Sequence, residues 1–168
     1  MTGKPEITRY TLWYMPPPLR RAHIFVAEGK PAIIASLHFN SAGILYEQRD
    51  PLVAGDSSWE AVVPVLRDAL GKFSFREANL RERRLTDWPS YQAAGARSVR
   101  QFQSAYLCIQ IVAVNEAELF YDASSRPRDE ADITLHGTLN PYGSDEEIAR
   151  LLGRLHQACL RWESVTPE

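Results

Sequence analysis

The stretch IIASLHFNSAGILY (residues 33–46) returns as CIQIVAVNEAELFY (residues 108–121), and the reading of this pair decides the fold. Laid side by side, Ile34 meets Ile109, Asn40 meets Asn115, Ala42 meets Ala117 and Tyr46 meets Tyr121. Each copy holds two apolar runs around a polar turn, the pattern of a β-hairpin. Asparagine suits a turn start because its side chain bonds nearby backbone and tolerates left-handed geometry. Two readings stay open: an internal duplication, or independent hairpins with the same turn chemistry. Both give the same architecture.

Outward from the hairpins, further elements follow from period and punctuation. ITRYTLWYM (7–15) is rich in β-branched and aromatic residues and stops at a proline run, as a strand would. AHIFVAEGKPAIIASLHF reads as two strands broken at Gly29–Pro31. In GDSSWEAVVPVLRDALGKF, Val62, Leu66, Ala69, Leu70 and Phe73 share a helical face. Ser57 with Glu60 fits its capping box, and Pro64 predicts a kink or a later start. Residues 74–98 read as a long irregular connection with short helical turns and a break at Trp88–Pro89. Strand character resumes at FQSAYLCIQIVAVN, passes through LFYDA, and returns in DITLHGTL after a polar loop. The last element is the clearest helix. Ser144 and Glu147 form its capping box, and Ile148, Leu151, Leu152, Leu155, Cys159 and Trp162 form its apolar stripe.

The expected fold class is α+β: an antiparallel sheet of about six strands with two main helices packed on one face. A single domain over 1–168 is expected, with a first hairpin–helix unit over about 7–73, the connection 74–98, and a second unit over about 99–163.

Composition narrows the function classes. With 45% hydrophobic and 24% charged residues the chain is ordinary globular material. Its length allows burial of roughly 70% of the unfolded surface, so neither metal nor disulfide is required. Cys108 and Cys159 sit in apolar runs and read as free buried thiols of a reducing compartment, hence a cytoplasmic protein. No export signal or membrane span is evident, and a net charge of −2 offers no field for nucleic acid.

No Gly-x-Ser-x-Gly, His-Glu-x-x-His or phosphate-loop pattern occurs. His156 and Cys159 stand three apart on the last helix, and His136 could supply a third ligand, but nothing local supplies a fourth. No metal and no cofactor are therefore expected, and the chain reads as a binding protein rather than an enzyme. The candidate contact residues are of three kinds. Arg81, Arg83, Arg84 and Asp87 belong to a mixed-charge cluster, which suits a salt-bridged turn better than a nucleic-acid surface. Asp129, Glu130 and Asp132 form an acidic loop able to imitate phosphates toward a basic cleft. Trp88, Tyr91 and Tyr142 are large aromatics outside a clear core period, of the type that dominates interfaces.

The segment GILYEQRD after a strand pair, the connection TDWPSY, and the ending LNPYGSDEEIARLLGRLHQACLRW together resemble the immunity proteins of bacterial polymorphic-toxin and contact-dependent inhibition systems. That resemblance implies a small α+β protein that binds a cognate protein toxin inside the producing cell and blocks it by occlusion. Two alternatives remain from the residues alone. One is a small-molecule or enzymatic site between sheet and helices near His38 or His136; the other is an adaptor subunit of a larger assembly.

Overall fold

A computed structural model describes residues 20–78, 83–113, 121–128 and 133–163. The strand expected over 7–15, Arg81, the second turn around Asn115, and Asp129, Glu130 and Asp132 lie outside the described residues.

The elements run β1 (Arg21–Val26), β2 (Ile33–Phe39), β3 (Leu45–Glu47), β4 (Leu52–Val53), α1 (Trp59–Gly71), β5 (Ser74–Phe75), a 3-10 turn (Leu85–Asp87), α2 (Pro89–Ala93), α3 (Val99–Ala105), β6 (Leu107–Ala113), β7 (Tyr121–Ser125), β8 (Leu135–Leu139) and α4 (Asp145–Glu163). The sheet order is β3-β2-β1-β6-β7-β8, and β4 and β5 also pair with β2. All pairings are antiparallel except that of β5.

The repeated hairpins flank β1. Ile24 pairs with Ile34 on one side and with its counterpart Ile109 on the other. His38 faces Tyr46 in the first hairpin and Ala113 faces Tyr121 in the second, so the two share register across the same length of chain. Asn40 acts as its residue type suggests: its Oδ1 accepts the Ile44 N–H at 2.9 Å, and Gly43 supplies the positive φ of 78° that the turn needs.

α1 and α4 pack on one face of the sheet. Val62, Val63, Leu66, Ala69 and Leu70 of α1 join Ile148, Leu152, Leu155 and Cys159 of α4 over Ala22, Ile24, Ile34, Ile109 and Ile111. The α4 capping box forms in both directions, Glu147 N–H to Ser144 Oγ at 3.2 Å and Ser144 N–H to Glu147 Oε2 at 3.1 Å. The α1 cap is one residue later than the spacing suggested. Ser58, not Ser57, accepts the Ala61 N–H, because Asp56 Oδ1 takes the Ser58 N–H at 2.7 Å and closes the preceding turn. Pro64 does not delay the helix, which already starts at Trp59. Proline at that depth forfeits one intrahelical bond, and the buried face offsets it.

The strand expected from Phe102 starts only at Leu107, as β6, because the residues up to Ala105 belong to helix α3. Ser98 caps it by accepting the Gln101 N–H at 3.1 Å, and Phe102 and Tyr106 then stack with ring centroids 5.0 Å apart. These rings meet Phe25, Ala27, Ile33 and Ala35 in a second core on the opposite sheet face. The long connection therefore covers the β1–β2 half of the face away from α1 and α4. Among the described residues no helix is long and apolar enough to cross a membrane.

Candidate functional site

The covering segment meets β3 at a buried carboxylate. Pairing with Leu37 places Glu47 on the sheet face that the connection overlies. Pro89 holds Trp88 extended, with φ −70° and ψ 113°, so α2 begins at Pro89 with no side-chain cap of its own. Its N-terminal donors need an acceptor. Glu47 supplies one from across the chain: Oε2 accepts the Ser90 N–H at 3.0 Å and the Ser90 hydroxyl at 2.6 Å. His23 Nδ1 stands 3.7 Å from the other carboxylate oxygen, an ion-pair rather than a hydrogen-bond distance. Glu47 is 8% exposed and Ser90 fully buried. Burial alone would raise the Glu47 pKa, but the polar contacts from His23, Ser90 and Trp88 outweigh it and hold the carboxyl below the usual range.

Around this anchor lie three adjoining cavities of about 620, 400 and 350 Å³. Arg83 lines all three, its guanidinium 5.4 Å from the Tyr46 ring centroid. The first is rimmed by Arg49, Asp50, Arg83 and Asp87, with Asp50 in the left-handed region at φ 59°. The second reaches down to His23 and Glu47. The third holds His38, whose Nδ1 is 2.8 Å from Ser74 Oγ. Burial lowers the His38 pKa; the Ser74 hydrogen bond opposes this, and the Arg76 charge adds to it.

The structure brings some of the sequence candidates together and separates others. Arg83, Arg84 and Asp87 are exposed on one turn, closed by the Arg84 N–H to Asp87 Oδ2 at 3.0 Å. Leu85 at its tip is 78% exposed. Trp88 and Tyr91 are half-buried beneath it: Trp88 meets Phe102 at 4.9 Å and Phe25 at 5.8 Å, and Tyr91 meets Phe102 at 6.2 Å. They fasten the turn to the second core. Tyr142, 75% exposed, lies elsewhere, on the turn between β8 and α4. That turn is held by Arg67 of α1, which donates to Pro141 O, Gly143 O and Asp145 Oδ1 at 2.7, 2.8 and 2.8 Å.

Sequence reasoning passed over Glu47, Ser90, His23, Tyr46 and Arg49. The available signal was Glu47 itself, a charged residue at a core-facing strand position opposite Leu37. No group of three or more metal-ligating side chains occurs among the described residues. The arrangement is an exposed mixed-charge turn with an apolar tip, fastened to the second core beside hollows that charged and apolar side chains line together.

No protein-family model matches the chain, and no curated protein matches it significantly in sequence. Solved structures that share its fold include the following two. A protein of unknown function from Neisseria meningitidis is 16% identical with a TM-score of 0.62, covering 83% of this chain and 94% of that one. A chain of a CdiA-CT/CdiI toxin and immunity complex from Yersinia pseudotuberculosis is 12% identical with a TM-score of 0.60, covering 83% of this chain and 96% of that one.

Proposed function

We propose that this chain is an immunity protein that binds a cognate bacterial toxin inside the producing cell and neutralises it by occlusion, without turnover. The observation that carries this reading is the fold shared, over 83% of the chain, with a chain of a toxin and immunity complex. The protrusion at 83–88 supports it physically. Trp88 and the Glu47–Ser90 contacts fix the turn in advance, so little conformational entropy is lost when a partner closes on Leu85 and the flanking charges. Arg83, Arg84 and Asp87 then set the register through charge complementarity. Asp129, Glu130 and Asp132 serve as the acidic contact for a basic nuclease toxin.

The test is affinity capture of the tagged chain from its native host, with mass spectrometry of the eluate. A stoichiometric partner that is lethal when expressed alone, and harmless with this chain, is the expected result. A stable monomer that captures nothing sinks the proposal and favours a small-ligand site in the hollows beside Glu47.

A further inference from the structure

A second surface lies away from the protrusion, on the outer side of α4. Ile148, Leu152, Leu155 and Cys159 of the expected apolar stripe pack into the core with Leu151 beside them, whereas Trp162, expected on the same stripe, is left exposed at the end of the helix. Its opposite face carries Arg150, Arg154, Gln157 and Arg161, at spacings that keep them in one line. The line borders a groove of about 730 Å³ between α4 and the start of α1. Gly153 and Ala158 lie within it, and Trp59 and Trp162 flank it. Glycine inside a helix costs about 1 kcal/mol relative to alanine, and at Gly153 it makes room: an added Cβ would stand 3.2 Å from Trp59 Cδ1. The Trp59 indole is thereby held against the helix, edge-on to His156 at 5.6 Å.

The charge of this groove contrasts with that of the chain. Its lining includes three arginines and no acid, in a protein of net charge −2. Arg150 and Arg154 are exposed and make no ion pair among the described residues. Of the four acidic residues of α4, Asp145, Glu146 and Glu147 are gathered at its first turn, outside the lining, and Glu163 is its last residue. Trp162 is 44% exposed at the far end. From Arg150 to Arg161 the row spans about 16 Å, three turns of helix.

We infer that this groove binds an acidic helical segment of a partner protein. Carboxylates one turn apart on such a segment match the guanidiniums of Arg150 and Arg154, which favour planar, paired recognition. An apolar side chain between them fills the space over Gly153 and Ala158, walled by the two indoles. A nucleic-acid strand fits less well, because a phosphate backbone calls for a longer surface of one sign than this row, which ends at the acidic first turn. The surface is independent of the immunity reading.

The probe is a fluorescein-labelled peptide of about 18 residues, helical, with glutamates one turn apart around a central leucine. Fluorescence anisotropy follows its binding to the intact chain. The expected result is saturable binding, weakened roughly tenfold or more when glutamine replaces glutamate in the peptide and when the protein carries R150E/R154E. Trp162→Ala weakens it as well. Equal binding of the glutamine peptide, or no saturable binding, overturns the inference without bearing on toxin neutralisation. So does a single-stranded oligothymidylate that binds more tightly and displaces the peptide. A circular dichroism spectrum of R150E/R154E identical to wild type excludes misfolding as the cause of a loss, and the glutamine peptide tests the charge requirement on the unaltered protein.

Discussion

Replacing Glu47 tests whether the protrusion is held from the sheet. Glu47→Ala removes the acceptor for two Ser90 donors and leaves a buried amide and hydroxyl without it. Hydrogen bonds to a charged group contribute about 1.5–3 kcal/mol each, and a stranded buried donor costs about 1–3 kcal/mol. Because both donors belong to one residue, the terms overlap, and a total loss of about 3 kcal/mol is expected. Glu47→Gln keeps an acceptor and loses the charge, for about half of that. The two variants also differ from wild type in pH dependence. The folded-state pKa of Glu47 is held low by its partners despite burial, so folding favours the ionised form. That contribution is complete above the ordinary glutamate pKa of about 4.3, and is lost as pH falls through the lower folded value. Urea unfolding followed by tryptophan fluorescence, with Trp88 beside the site, measures each stability. The gap between wild type and Glu47→Gln should be full at neutral pH and shrink below about pH 4.3. A cost for Glu47→Ala under about 0.5 kcal/mol, or a gap that stays constant into the acid range, refutes the reasoning.

Other expectations follow from the same geometry. Arg67→Ala should cost about 1–2 kcal/mol in chemical denaturation, since it removes three contacts to the turn before α4 from a partly exposed side chain. Gly143→Ala should lower the melting temperature, because its Cβ would stand 2.9 Å from Glu147 Oε2 and 3.1 Å from Asn140 O, within the α4 capping box. Cys108 should react slowly with a thiol reagent in the native state and rapidly once unfolded, because burial first, and then the Glu47 charge, push its pKa up to about 12. Buried His38 should titrate below the ordinary histidine value in an NMR pH series. Its protonation is then postponed by folding, so it withdraws stability as pH falls below about 6.5.

What the sequence disclosed depends on whether the interactions are local. α4 was legible because its capping box spans three residues and its apolar stripe many turns, and the β2–β3 hairpin because Asn40 and Gly43 build the turn within five residues. α3 was not. Its Ser98–Gln101 cap is local, but only seven residues of helix follow before the apolar strand, so the short turn reads as part of that strand; Phe102 is then seated on Phe25 across the fold. At the site, Arg83, Arg84, Asp87 and Trp88 announced themselves by type. The Glu47–Ser90 contact joins residues 43 apart in sequence, beyond any local pattern.

The claim of neutralisation by occlusion is tested most directly by titrating a captured toxin's activity with the purified chain. Occlusion predicts a linear fall to zero at one chain per toxin, with the toxin chemically intact and active again after the complex is denatured and separated. Complete loss at far less than one chain per toxin, or full activity at a large excess, would contradict it.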